Sequence, residues 1–372
     1  MARVPLLIAA LAATTLGGAL AWGTLRQERE FQRLLVQGDR ARAGDELTTA
    51  IEMFSGALAL RPDSVLGRLK RGDAYRLRGE AEAALRDLEQ AARLDPSSPR
   101  PRELRGDVLL AAGQAPAARA EYTRAIELDD RVPRLHYKLA FAAFRDDRPQ
   151  DALEVLDRPV LSQSTAAEVH YLRALALQAV GAPARAVEAL RPAMMADPGF
   201  VAAYELLAAL QLARGRLAEA VVPLRQLTGL EPSSAARYVA LAAVLVRMGQ
   251  REPARAALEQ AVVRSPGDRR VVVALCRLLL DGGGPAEFSR AEALLAPLAT
   301  APAAPSDVLT QYGRALLARG DLARAVAVLA RGTATWPADP DAYYYRAQAE
   351  ARLGRPAAAA EARKAFEALS IR

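Results

Sequence analysis

The sequence predicts an all-α fold, a solenoid of about ten helical hairpins, and three phased signals support this prediction. Alanine recurs with a period of 34 residues that three extra residues interrupt once, and glycine and proline keep the same register. A fixed period of this size indicates an array of repeated units, each burying its apolar face against its neighbours. The alanines are Ala50, Ala84, Ala118, Ala152, Ala186, Ala220, Ala254, Ala291, Ala325 and Ala359.

Composition and register together predict how the chain is organised. Hydrophobic residues make up 52% of the chain but aromatic residues only 5%, so small and aliphatic side chains must fill the interior. The register runs from about Phe31 to the C-terminus, and we predict one repeat domain at 31–372 preceded by an N-terminal segment at 1–30. The repeats are expected to start near residues 31, 65, 99, 133, 167, 201, 235, 269, 306 and 340.

Each repeat carries signals for where its two helices meet and end. The eighth and twentieth residues are small, which marks the contact of the first helix (helix A) with the second (helix B), because bulky side chains prevent a close crossing. Glycine at the fifteenth position, as in Gly79, can adopt the left-handed conformation that ends helix A. Proline near the thirty-second position, as in Pro96, ends helix B. Large apolar residues at the twenty-fourth position are expected to fill the space between repeats.

These features resemble the tetratricopeptide repeat family, with its small residues at positions 8 and 20 and proline at position 32. The resemblance covers almost everything after Phe31 and implies a right-handed superhelix whose helices A line a concave groove that receives peptides. The fourth repeat departs from the pattern, because Asp147 replaces the turn glycine and Pro159 lies late in helix B, which predicts a bend or an early end. The eighth repeat carries the insertion, around residues 281–285, which should lengthen its turn.

Positions 2, 5, 9 and 12 of helix A are the groove positions of this family, and they share one helical face. In this chain they are charged in the first three repeats and become aromatic in the fourth. An apolar stretch in a groove predicts a site for an amphipathic helix or an apolar peptide, unless the same side chains pack against neighbouring helices. The predicted partner-binding residues are Tyr137, Phe141, Phe144, Tyr171 and Leu175.

The N-terminal segment has the features of a targeting sequence. Residues 4–25 contain no charged side chain and follow Arg3, and about 20 apolar residues suffice to span a bilayer as a helix. We therefore expect a single-pass anchor in a bacterial inner membrane. Ala19-Leu20-Ala21 also resembles a signal-peptidase site, so cleavage and release into the periplasm is the alternative.

The topology of such an anchor has two competing indications. Arg26, Arg29 and Arg33 follow the uncharged run, and the positive-inside rule would place the array in the cytoplasm. The short positive N-terminus and the cleavage-like motif are typical of exported proteins, and we expect the array on the periplasmic side.

The net charge of +7 raises the question of an anionic partner. Basic residues cluster between positions 61 and 105, and nine of them could face anionic lipid or form a solvated face paired with nearby carboxylates. The nine are Arg61, Arg68, Lys70, Arg71, Arg76, Arg78, Arg100, Arg102 and Arg105. Nucleic acid is not an expected partner, because repeats that read RNA rely on polar code residues including asparagine, which this chain lacks.

No motif of the sequence indicates catalysis. It contains no phosphate-binding loop, nucleophile turn or zinc-binding helix motif, so we expect no enzyme, catalytic residue, small-molecule substrate or cofactor. His136 and His170 occupy the fourth position of consecutive repeats, but two histidines without further ligands more often pack, and no metal site is expected. Cys276 stands where the other repeats have glycine or alanine and is expected to be structural.

The expected function is that of a membrane-tethered or exported scaffold that binds a protein or peptide partner in its groove. From the family resemblance, we expect it to act in envelope assembly, secretion or polysaccharide export. The alternative is a cytoplasm-facing regulator, or an accessory subunit, of a membrane enzyme complex.

Overall fold

The computed structural model describes the backbone of residues 3–162 and 164–370, and the side chains of that part apart from residues 3–21 and 23. All regular structure in the described part is helical. Its helices are α1 (Arg3–Ala43), α2 (Leu47–Leu60), α3 (Val65–Arg78), α4 (Ala81–Leu94), α5 (Pro99–Ala111), α6 (Ala115–Leu128), α7 (Pro133–Arg145), α8 (Pro149–Leu156), α9 (Pro159–Ser162), α10 (Ala167–Ala179), α11 (Pro183–Ala196), α12 (Val201–Ala213), α13 (Leu217–Leu230), α14 (Ala235–Arg247), α15 (Arg251–Arg264), α16 (Arg269–Leu280), α17 (Pro285–Ala299), α18 (Ser306–Arg319), α19 (Leu322–Thr335), α20 (Pro340–Arg352) and α21 (Pro356–Ser370).

The helices form antiparallel hairpins, so the predicted all-α solenoid of helical hairpins is confirmed. From α3 onward, every helix A begins at the first residue of its predicted repeat. In the first repeat, helix A is the C-terminal part of α1, where Phe31 and Leu35 are buried. The chain divides into two compact units, unit 1 at Met1–Ala196 and unit 2 at Asp197–Arg372.

Helix B of the fourth repeat is broken into α8 and α9. The break falls at Asp157 and Arg158, immediately before Pro159. Proline disfavours the helical conformation of the preceding residue and has no N–H to continue the helix. The segment from α9 to α10 therefore has its own shape, which becomes relevant to the site described below.

The turns between helices A and B use a left-handed residue, as the glycine register predicts. Seven of the described glycines have positive φ, all at the fifteenth position, and Asp45 and Asp147 take the same conformation where glycine is missing, with φ of 62° and 54°. Gly283 does not. It belongs to the inserted loop, and its N–H donates to the carbonyl of Leu279 at 3.1 Å. The prediction of a left-handed glycine at the fifteenth position is therefore wrong for the eighth repeat.

In unit 1 the small eighth residue contacts the large twenty-fourth residue of the same repeat. A Cβ atom on Gly38 would lie 2.4 Å from the ring of Phe54, and one on Gly106 would lie 2.5 Å from the ring of Tyr122. Both aromatic rings are completely buried. Helix A thus packs so closely on helix B here that only glycine fits beneath an aromatic ring.

Unit 2 follows the same packing rule with smaller partners. Ala242 and Cys276 occupy the eighth position, and both lie in one hydrophobic cluster with Leu258 and Leu295 of the twenty-fourth position. In the final repeat the twenty-fourth residue is Arg363, which is exposed to solvent. The other repeats have a buried apolar residue at this position, so the tenth repeat departs from the packing rule there.

The prediction of a membrane anchor falls mainly on residues 3–21, whose side chains lie outside the described part. In the portion of the chain whose side chains are described, no helix is both long and apolar enough to cross a bilayer.

Candidate functional site

The helix-A face of unit 1 begins as a ladder of ion pairs between consecutive repeats. Lys70 of α3 donates to Asp39 of α1 at 2.7 Å, and Arg42 of α1 donates to Asp73 of α3 at 2.9 Å. Lys138 of α7 repeats the geometry of Lys70 and donates to Asp107 of α5 at 2.7 Å. These pairs join neighbouring helices A, so the charged groove residues of the first repeats serve largely to hold the array together.

Glu103 on α5 is the centre of this network. Its side chain is 2% exposed and accepts hydrogen bonds of 2.7 Å from Arg100, 2.7 and 2.8 Å from Arg134, and 2.7 Å from Lys138. Burial alone would raise the pKa of Glu103, but these charged donors outweigh burial and lower the pKa to about 2. The carboxylate therefore stays ionised and links α5 to α7.

All eleven basic residues between positions 61 and 105, the nine of the cluster together with Arg86 and Arg93, pair with carboxylates. Asp87 receives Arg68 and Arg71, and Glu121 receives Arg102 and Arg105. Asp87 and Glu121 are almost fully buried, at 5% and 4% exposure. The structure thus supports the paired interpretation of this cluster and not the anionic-lipid one.

The five predicted partner-binding residues lie on α7 and α10, the helices A of the fourth and fifth repeats, and each is half-buried. The rings of Tyr137 and Phe141 lie nearly parallel, with centroids 6.4 Å apart. Tyr137, Phe141 and Phe144 also pack against the core of unit 1. We call Tyr137, Phe141, Phe144, Tyr171 and Leu175 the aromatic face. Its three residues on α7 are anchored in the core, and all five are partly open to solvent.

A pocket of about 370 Å³ lies at the N-terminal end of this face. Tyr137 is the predicted residue that lines it, and buried Leu161 and Val169 supply further apolar wall. Glu168, in the first turn of α10, stands exposed at its edge, and no salt bridge to Glu168 occurs within the described residues. The remaining lining residues are Pro133, Arg134, Ser164 and Ala166.

The pKa of Tyr137 depends on its burial in this pocket and on the charge of Glu168. Burial raises the pKa of its hydroxyl, and the nearby negative charge of Glu168 raises it further. Tyr137 therefore remains a neutral, amphipathic ring next to a carboxylate that has no salt-bridge partner among the described residues. Such a pocket suits an apolar or aromatic side chain with a positive charge close by.

Repeat periodicity alone does not reveal this pocket. Leu161 lies on the short helix α9, and Ser164 and Ala166 lie in the loop after it, outside the regular A and B helices. The sequence signal was Pro159, which predicted the irregular helix B but not the space that the irregularity leaves beside Tyr137.

Comparison with family models identifies the repeats. A model described as "TPR repeat" matches residues 72–113, and models described as "Tetratricopeptide repeat" match residues 104–160, 177–245 and 306–349. The repeats are tetratricopeptide repeats. Such arrays are typically non-catalytic scaffolds for protein interactions. No curated protein matches this chain in sequence.

Solved tetratricopeptide structures are similar in fold. The C-terminal part of a TPR repeat-containing protein from Cytophaga hutchinsonii is 16% identical, with a TM-score of 0.53 over 64% of this chain and 98% of that chain. A tetratricopeptide repeat protein from Parabacteroides merdae is 15% identical, with a TM-score of 0.49 over 67% and 98%. YrrB, described as a TPR protein with an unusual peptide-binding site, is 19% identical, with a TM-score of 0.42 over 50% and 97%.

The helix-A face of unit 2 in this tetratricopeptide array is more aliphatic. Val239 and Val246 of α14 line a pocket of about 330 Å³, with Arg277 and Asp281 at its other side. Val273 and Leu280 also stand at groove positions, but both are buried in the core of unit 2. For these two residues the packing interpretation applies.

The two histidines of the tetratricopeptide array hold loops in place. Nε2 of His136 lies 2.7 Å from the carbonyl oxygen of Asp130, and Nε2 of His170 lies 2.8 Å from that of Ser164. Each ring thus bonds a carbonyl six residues upstream, in the loop that precedes helix A of its repeat. In the described part of the chain, no group of three or more His, Cys, Asp or Glu side chains could hold a metal ion.

Proposed function

We propose that this tetratricopeptide repeat protein is a scaffold that binds a segment of a protein partner on the helix-A face of the fourth and fifth repeats. The observation that carries the proposal is the pocket between α7 and α10, where Tyr137 stands next to Glu168, a carboxylate with no salt bridge to any described residue. Neighbouring groove carboxylates such as Glu103 are already neutralised by basic side chains, so Glu168 is the acidic group that remains available there.

The chemistry of the pocket specifies the partner segment. Its apolar wall takes an aliphatic or aromatic side chain, and Glu168 attracts a lysine or arginine close to it in space. An amphipathic helix satisfies both requirements, because residues three or four apart share one face. Phe141 and Phe144 continue along α7 and offer apolar contact for the next turn of such a helix.

Peptide selection on the immobilised full-length protein tests this proposal. Enriched peptides should pair a large apolar residue with lysine or arginine at helical spacing. By calorimetry, Tyr137→Ala should weaken binding of such a peptide by about 2 kcal/mol or more, and Glu168→Gln should also weaken it. Glu188→Gln on α11, which also removes an exposed carboxylate, is the matched control and should leave binding unchanged. Peptides that bind all four proteins equally would refute the site.

We further propose that the N-terminal segment tethers the scaffold to a bacterial inner membrane with the array in the periplasm, where it acts in envelope assembly, secretion or polysaccharide export. The uncharged run at 4–25 supports this proposal. N-terminal sequencing and protease access to a C-terminal tag in spheroplasts test it. An uncleaved chain whose tag is digested is the expected result. A chain starting at Trp22 would replace the anchor with a signal peptide, and a protected tag would place the array in the cytoplasm.

A further inference from the structure

One face of α1 outside the hairpins combines apolar and basic side chains. One side of the helix carries Trp22 and the three residues that follow it by three, four and seven positions, namely Leu25, Arg26 and Arg29. All four are exposed, Trp22 by 67% and Leu25 by 56%, and together they line a surface depression of about 200 Å³. We call these four residues the Trp22 face.

The opposite side of the same helix is fixed to the first repeat. Gln27 donates to the carbonyl of Leu60 at 2.9 Å, and Glu28 forms a salt bridge with Arg61. The guanidinium of Arg61 also lies 4.7 Å from the ring centroid of Phe31. These contacts hold α1 against the end of α2, so the Trp22 face is directed away from the hairpin.

The arginines of this face differ from those of the neighbouring repeats. Each of the eleven basic residues between positions 61 and 105 has a carboxylate partner, whereas Arg26 and Arg29 form no salt bridge within the described residues. Residues 1–25 contain no aspartate or glutamate that could pair with them. Two unpaired guanidinium groups are therefore available to an external anion.

We infer that the Trp22 face contacts the anionic headgroup layer of a membrane and sets how the first repeat sits on it, an inference that rests on the proposed tether. A tryptophan at the end of an uncharged run is typical of the boundary between acyl chains and headgroups. Arginine binds phosphate oxygens through two parallel hydrogen bonds, and basic residues close to a bilayer are attracted by its anionic lipids. Because α1 is continuous with helix A of the first repeat, this contact fixes the orientation of that repeat.

Lipid-selective quenching of Trp22 fluorescence tests this inference on the full-length chain. Trp336→Phe leaves Trp22 as the single tryptophan. The chain is reconstituted in phosphatidylcholine vesicles that contain equal fractions of headgroup spin-labelled phosphatidylglycerol or spin-labelled phosphatidylcholine. Quenching by the anionic lipid should exceed quenching by the zwitterionic one by at least twofold. The Arg26→Gln/Arg29→Gln variant should reduce this ratio to about one.

Arg86→Gln/Arg93→Gln is the matched control, because it removes two exposed arginines of α4 that pair with Glu82 and Glu89. It should keep the full ratio. Equal quenching by both lipids in the parent chain would overturn the headgroup contact while leaving the tether in place. Absence of quenching by either lipid would overturn the tether and the contact together.

Discussion

Gly106→Ala is the sharpest test of the helix packing in unit 1. The new Cβ atom would lie 2.5 Å from Cε1 and 2.7 Å from Cζ of Tyr122. The ring cannot easily move aside, because it is completely buried and its hydroxyl donates to Asp107 at 2.7 Å. Overpacking of this kind costs about 1 to 3 kcal/mol, and the better helix propensity of alanine returns about 1 kcal/mol. Because the buried ring cannot move aside, the upper part of the overpacking range applies, about 2 to 3 kcal/mol. After the propensity gain, the expected net loss is about 1 to 2 kcal/mol in the free energy of unfolding.

Urea denaturation of the four proteins of a double-mutant cycle measures this effect. Tyr122→Leu should reduce the cost of Gly106→Ala, because the fourth repeat already pairs Ala140 with Leu156 at the same two positions. A Gly106→Ala midpoint equal to or above that of the parent, or an equal cost in both backgrounds, would refute the packing argument.

Three further predictions concern charge, turns and the buried thiol. Glu103→Gln should cost about 3 kcal/mol at neutral pH. Folding lowers the pKa of Glu103 from 4.5 to about 2. The stabilisation by its carboxylate is therefore complete above pH 4.5, the pKa in the unfolded chain, and is lost as the pH falls toward 2. An equal loss of stability in acid for parent and variant would contradict this. Residues 147 and 79 both have positive φ. Asp147→Gly should therefore raise, and Gly79→Ala should lower, the free energy of unfolding in urea by about 1 kcal/mol. An effect of opposite sign would show that φ does not govern these turns. Burial raises the pKa of the Cys276 thiol to about 12, so iodoacetamide should modify it only after denaturation; rapid labelling of the native chain would contradict its burial.

The sequence predicted the local features of the fold well. The alanine register located the close crossings, and all ten of its alanines are buried. The glycine register located the left-handed turns except at Gly283, where the insertion lets the chain turn without positive φ. Pro159 predicted the broken helix B. These features depend on backbone sterics within one hairpin, which a single repeat encodes.

Contacts between repeats could not be predicted in the same way. Glu103 is 31 residues from Arg134 and 35 from Lys138, and their meeting depends on the spacing of α5 and α7. Periodicity placed Val273 and Leu280 at groove positions although both are buried, since small differences in helix rotation decide burial. The pocket beside Tyr137 depends on how α9 and its loop settle, which no periodic pattern encodes.

Site-specific photocrosslinking in the native host tests most directly the claim that the fourth and fifth repeats bind a partner segment. A photoreactive residue replaces Tyr137 in the full-length chain, and the same residue at Glu154, exposed on α8, serves as the control. We expect a discrete protein adduct from position 137 that is absent from position 154 and disappears with Glu168→Arg. No adduct at position 137, or one that the charge reversal leaves unchanged, would contradict the account.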